Sequence, residues 1–258
     1  MFREISAICA VVMLAALPAA ANPTVRINLG PGGQEANGYS PASDISANGR
    51  WVAFSSHATN LVAGLTALDE DVYLRDLQTQ RTELVSFGPG GGPIDFGASD
   101  PAISGDGRFV AFDSNSTNLV PGDTNENDDV FVFDRKTGRT ERVSVASDGA
   151  QADSSNLFPR ISGDGRFVLF TSYADNLVPG DTNGTYDVFV HDRATHTTAR
   201  VSVDSHGRQA DGPSQDNIAI AHDGSFVVFS SGADNLVPND RNDNWDVFLH
   251  RGPPLAGH

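Results

Sequence analysis

The chain has 258 residues, room for one large domain or two small ones. Its 17 basic and 33 acidic residues give a formal net charge of −16. That balance excludes the basic patches that nucleic acid or an anionic membrane surface requires. With 39 % hydrophobic residues, the chain can build a core, and wholesale disorder is excluded as well.

Residues 1–21 read as a signal peptide. Arg3 opens a short n-region, Ile5 to Leu17 form an apolar run, and Pro18-Ala-Ala-Ala21 offer small residues for cleavage near Ala21. The run is shorter than the roughly 20 residues a membrane span needs. A periplasmic or secreted product without membrane insertion is expected. Cys9, the sole cysteine, lies within this segment, so residues 22–258 contain no disulfide or thiol.

From there on, one repeat is written four times. Ile45 to Phe54 (ISANGRWVAF), Ile103 to Phe112 (ISGDGRFVAF), Ile161 to Phe170 (ISGDGRFVLF) and Ile220 to Phe229 (IAHDGSFVVF) follow each other at steps of 58, 58 and 59 residues. Asn-Leu-Val recurs at Asn60, Asn118, Asn176 and Asn235, and Asp-Val-Tyr/Phe at Asp71, Asp129, Asp187 and Asp246. Thr82 to Phe87, Thr140 to Val145 and Thr198 to Val203 are β-branched runs. Units begin near residues 41, 101, 159 and 218.

Each unit is rich in β-branched and aromatic residues. Asn48-Gly49, Asp106-Gly107, Asp164-Gly165 and Asp223-Gly224 supply tight turns. Four strands per unit are expected: one before this turn, one after it, the Asp-Val-Phe strand and the Thr-x-Arg-Val strand. Four strands per roughly 40–60 residues make the blade of a β-propeller. The expected fold is therefore all-β, a propeller of four four-stranded blades. Thr24 to Leu29 match Thr140 to Val145 at an offset of 116, two repeat lengths. They are expected to close the ring by pairing with the last blade, the rival being association of open arcs.

The motif I-S-x-D-G-R-x-V-A-F, followed by D-V-F-V-x-D-R-x-T-G-x-T-x-R-V-S, resembles the TolB-like propeller repeat, a WD40-like unit of bacterial envelope proteins. The resemblance covers about residues 24 to 251. It implies a secreted or periplasmic β-propeller that binds a protein. The namesake has six blades and an additional domain, whereas this chain has four units. No G-x-S-x-G elbow is present for a peptidase nucleophile.

One set of residues suggests a ligand. The loop between the second and third strands holds oxygen-bearing side chains at alternate positions: Asp123, Asn125, Asn127 and Asp129 in unit two; Asp181, Asn183, Thr185 and Asp187 in unit three; Asp240, Asn242, Asn244 and Asp246 in unit four. Such a loop can curl around calcium, which takes about six to eight oxygens. Asp and Asn equally favour loops because they cap backbone N–H groups. Unit one has Leu65 and Ala67 instead of the first two oxygens, and no ion is expected there. Asp95, Asp153 and Asp211 form another equivalent series, while His191 and His250 are expected at the surface.

No catalytic residue is assigned from the pattern. The reading is an exported, non-enzymatic scaffold for a protein or glycan, with a calcium-stabilised structural envelope protein as a rival. The other alternative is a carbohydrate-active enzyme, a glycoside hydrolase or lyase, using carboxylates in the funnel; its catalytic pair should break the repeat.

Overall fold

The computed structural model describes residues 24–64 and 69–251. The segment expected to be a signal peptide, Cys9, Leu65 and Ala67 lie outside the described residues. The fold is all-β. Blade one comprises β1 (Ser43–Ile45), β2 (Trp51–Ser56), β3 (Asp71–Asp76) and β4 (Arg81–Leu84). Blade two comprises β5 (Ala98–Ile103), β6 (Phe109–Ser114), β7 (Asp129–Asp134) and β8 (Arg139–Arg142). Blade three comprises β9 (Asn156–Ile161), β10 (Phe167–Ser172), β11 (Asp187–Asp192) and β12 (Thr197–Arg200). Blade four contains β13 (Ser214–Ile220), β14 (Phe226–Ser231) and β15 (Asp246–Arg251). All pairings are antiparallel between neighbours in sequence, the meander of a propeller blade.

The repeated motif explains each blade. Asp106 Oδ1 accepts from the Arg108 N–H and the Ser104 hydroxyl, which fixes the turn between the first two strands. Asn48 and Asp164 do the same in their units. The motif arginine then reaches the aspartate that ends the third strand. Arg50 forks onto Asp76, Arg108 onto Asp134 and Arg166 onto Asp192, each through two hydrogen bonds. In unit four, Ser225 and Arg251 occupy these positions, so this clamp is not built there.

The core lies between blades. Val130 and Val132 of blade two pack with Ile161, Val168 and Phe170 of blade three. Val188 and Val190 pack with Ile218, Val227 and Phe229 in the same way. Phe54, Phe112, Phe170 and Phe229 are buried, each stacked on the aromatic of the third strand: Tyr73, Phe131, Phe189 and Phe248.

Gly107 shows why the turn requires glycine. Its φ is +75°, and a Cβ there would stand 2.3 Å from Trp51 of the preceding blade. Phe109 lies on Gly165 and Phe167 on Gly224 in the same relation.

The blades form an open array. The inner strand β5 packs against β1 and β9, and β9 against β13. Blade four is three-stranded among the described residues. The pairing of residues 24–29 with β15, expected from the sequence, is not formed within this chain. The segment instead lies on blade one. Leu29 bridges Glu35, the Leu29 carbonyl accepts from Thr82 and Arg75, and Ile27 packs beside Phe54 and Tyr73. Those contacts hold it where the outer strand of a preceding blade would lie.

Candidate functional site

The acidic loops and the blade-to-blade segments share one face. Gln151, in the segment after blade two, donates to Asp123 at 3.0 Å, and Gln209 donates to Asp181 at 2.7 Å. The Asn of each Asn-Leu-Val block ties the same face together, donating to the carbonyls of Glu35, Pro93, Gln151 and Gln209. Asp95, Asp153 and Asp211 accept backbone N–H bonds from Thr117, Asp175 and Asp234, so this series caps loops.

In units two and three, an arginine stands among the loop carboxylates. Arg142 Nη1 is 3.1 Å from Asp123 and 3.2 Å from Asp129; Arg200 Nη1 is 3.1 Å from Asp181 and 3.4 Å from Asp187. Asn125 and Asn183 turn their amide nitrogens toward Asp129 and Asp187. Their oxygens accept the N–H groups of Asn127 and Thr185. Ser144 and Ser202 donate to the remaining oxygens of Asp129 and Asp187. In the structure this donor set serves a guanidinium and the local backbone. Asn127 contributes its backbone N–H to the turn.

Burial pushes the Asp129 carboxyl up to about 6, against the pull of Ser144 and Arg142. Asp123, Asp181 and Asp187 are raised by burial too. In unit four, Asn242 donates to Asp246 at 2.8 Å and accepts the Asn244 N–H, while no arginine among the described residues joins Asp240 and Asp246. Among the described residues, no group of three or more His, Cys, Asp or Glu side chains is gathered as a metal site.

His191 corrects the expectation of a surface position. It is buried, its Nδ1 lies 2.9 Å from the Thr198 hydroxyl, and burial lowers its pKa to about 4. Opposite Arg75 in blade one, Thr82 plays the same part, so this strand position faces a hydroxyl rather than water.

A second cluster breaks the repeat. Asp44 of β1, Asp100 of β5 and Arg160 of β9 line one cleft of ≈ 220 Å³ across three successive inner strands. The counterparts of Asp44 are Ala102, Arg160 and Ala219, and those of Asp100 are Ala42, Phe158 and Asn217. Each inner strand of blades two to four bulges where its residue adopts positive φ: Asp100 (47°), Phe158 (56°) and Asn217 (43°). Such backbone strain concentrates at functional sites. Asp44 Oδ2 accepts the Ile103 N–H at 2.8 Å and so joins blades one and two.

Behind the cleft lies Asp113, buried, where blades one, three and four have Ser55, Thr171 and Ser230. It accepts from the Ser99 hydroxyl at 2.7 Å and from the Phe158 N–H at 3.1 Å. Burial, together with Asp100 and Asp128, pushes it up to about 7. Asp100 is raised chiefly by burial, opposed by Arg160. Sequence periodicity could not single out these residues; the signal available was that they differ from their counterparts.

An open array of four-strand repeats with a cleft on its inner strands defines the class: a β-propeller-type repeat protein. No family model and no curated protein matches the chain. Its fold is similar to that of TolB from Acinetobacter baumannii, at TM-score 0.49 and 17 % identity, covering 83 % of this chain and 41 % of that one. It is also similar to a putative TolB from Agrobacterium tumefaciens, at 0.49 and 16 % identity, covering 86 % of this chain and 66 % of that one. The β-propeller domain of the Trilobed protease from Pyrococcus furiosus follows at 0.48 and 13 %, covering 83 % and 55 %. The chain thus spans less than two thirds of the length of these structures, and the likeness concerns the fold.

Proposed function

We propose that the chain is an exported, non-enzymatic propeller scaffold that holds a protein or glycan ligand on its inner strands and adjoining loops. The observation that supports this is the cleft of Asp44, Asp100 and Arg160, whose lining departs from the repeat while the surrounding scaffold keeps it. Loops and strained inner positions on a rigid repeat are where binding specificity is built. Arginine, in place of the calcium that the loop spacing suggested, is proposed as the counter-charge in units two and three.

The carbohydrate-active enzyme remains the second reading. Non-repeating acids with raised pKa values are what an acid–base pair needs, and Asp100 and Asp113 meet that description. The two readings separate in one experiment. The purified chain is incubated with a panel of soluble glycans, and both binding and reducing-end release are measured. The scaffold predicts retained glycan or peptide ligand without cleavage. New reducing ends, abolished by Asp113→Asn, would establish the enzyme instead.

A further inference from the structure

The two ends of the blade array carry complementary unfinished surfaces. At the trailing end, Val247 and Leu249 of β15 are 73 % and 65 % exposed. Their counterparts Val130, Val132, Val188 and Val190 are buried against the next blade. Phe226 is 40 % exposed, whereas Trp51, Phe109 and Phe167 each rest on the turn glycine of the following blade. Among the described residues, Asp240 and Asp246 have no arginine such as the one beside Asp123 and Asp129.

Each gap has a match at the leading end. Gly49, the turn glycine of blade one, has open space where Gly107 meets Trp51. Ile45 is 54 % exposed where Ile103 and Ile161 are buried. Arg26 occupies the repeat position of Arg142 and, among the described residues, pairs with exposed Glu35 at 2.6 Å. The segment around it is already placed as an outer strand. Thr82 donates to the Leu29 carbonyl just as Thr198 donates to the Val145 carbonyl, and the Leu29–Glu35 bridge repeats Val145–Gln151.

We infer that a second copy of this chain occupies these surfaces. Blade four of one copy packs on blade one of the other, and residues 24–29 of the latter become the fourth strand that blade four does not have among the described residues. Register follows from blade two, where Val132 faces Glu141 and Phe131 faces Arg142. Leu249 then faces Val25, and Phe248 faces Arg26. Arg26 exchanges Glu35 for Asp240 and Asp246. The segment is anchored to blade one, and blade one lies at the opposite end of the array from blade four. The contact is head-to-tail, which closes into a ring or propagates as a filament. Two copies give eight blades, within the usual range of about 4–8 for closed propellers. Ring closure also removes the open edge of β15, an aggregation hazard when left bare.

The test is cysteine cross-linking in the full chain with Cys9→Ser, Val25→Cys and Leu249→Cys. Directly opposed strand residues have Cβ atoms about 4.5–5.5 Å apart, close enough for a bond with small adjustment. Mild oxidation should yield a disulfide-linked dimer that reductant dissolves. Sedimentation of the wild type should give twice the chain mass, and Arg26→Glu should raise the dimer dissociation constant at least tenfold. A bond formed only within single chains would overturn the inference in favour of a four-blade ring. A ladder of higher oligomers would overturn the two-copy ring. A monomeric wild type, together with a double-cysteine variant that forms no disulfide, would overturn the pairing itself.

Discussion

The guanidinium of Arg135 lies over the Trp51 ring, 3.5 Å from its centroid. This contact ties blade two to blade one. Arg135 also bonds Glu83 at 3.2 Å and the Gly107 carbonyl at 2.8 Å, so one side chain holds ring, carboxylate and turn together. Arg193 repeats the arrangement over Phe109. At the same position blade one has Leu77. Arg135→Ala is expected to lower unfolding stability by about 1–2 kcal/mol. Arg135→Lys should recover little of this, because an ammonium cannot stack and fork at once. Urea denaturation of both variants checks the claim.

Gly107→Ala should be worse than either. The left-handed conformation alone costs about 1–2 kcal/mol for an L side chain, and the new methyl would collide with Trp51. Gly149→Ala, at φ +86° but with open space around it, should show the conformational cost alone. The difference in melting temperature between the two variants measures the inter-blade packing.

Arg142 tests the counter-charge of the acidic loops. Asp129 is fully buried, so removing Arg142 leaves an unpaired carboxylate in the interior. Arg142→Ala should cost about 3 kcal/mol or more, and adding Asp129→Asn should restore part of it. The wild type should melt at the same temperature in chelator and in about 1 mM calcium, a range suited to extracellular calcium modules. A rise with calcium would contradict arginine as the sole cation there.

Stability should depend on pH in two opposing windows. Asp113 is held near 7, and Asp71 and Asp129 near 6, chiefly by burial. Each binds its proton more tightly when folded, so each stabilises the fold at low pH and loses that contribution as pH rises from about 4 to 7. Asp76, Asp134 and Asp192 are held well below the usual range by Arg50, Arg108 and Arg166. Their contribution is present above about pH 4 and fades as pH falls further. The melting temperature should therefore peak near pH ~4, decline as pH rises to ~7 and level off above it. Asp113→Asn, which keeps an oxygen for the Phe158 N–H, should flatten that decline.

The scaffold was legible in the sequence because it repeats. The step of 58 residues located the strands, the Asp-Gly turns and the core positions Phe112 and Phe170. The loop oxygens were legible as well, but not the arginine that stands among them. Alternate spacing marks Asp123 and Asp129 as neighbours, while Arg142 comes from a later strand whose approach only the fold reveals. His191 was misread for the same reason: the hydroxyl of Thr198 that lets the ring be buried lies across a strand pair. Residues 24–29 carry the strand-four pattern in the sequence, while their anchor on blade one depends on Leu29, Thr82 and Arg75 meeting in space. The inner cleft left no pattern at all, since Asp44, Asp100 and Arg160 are defined by departing from one.

The cleft can be tested without disturbing the scaffold. Asp100→Gly relieves a positive φ of 47°, so stability should hold or rise by up to about 1 kcal/mol. Combined with Asp44→Asn, which keeps an oxygen for the Ile103 N–H, and Arg160→Ala, it removes every charge lining the cleft. The decisive measurement is binding of wild type and this triple variant to the same array of glycans and envelope peptides. The account predicts that a ligand held by the wild type is lost by a variant with an unchanged melting temperature. Equal binding by both would contradict the assignment of the inner cleft as the recognition site.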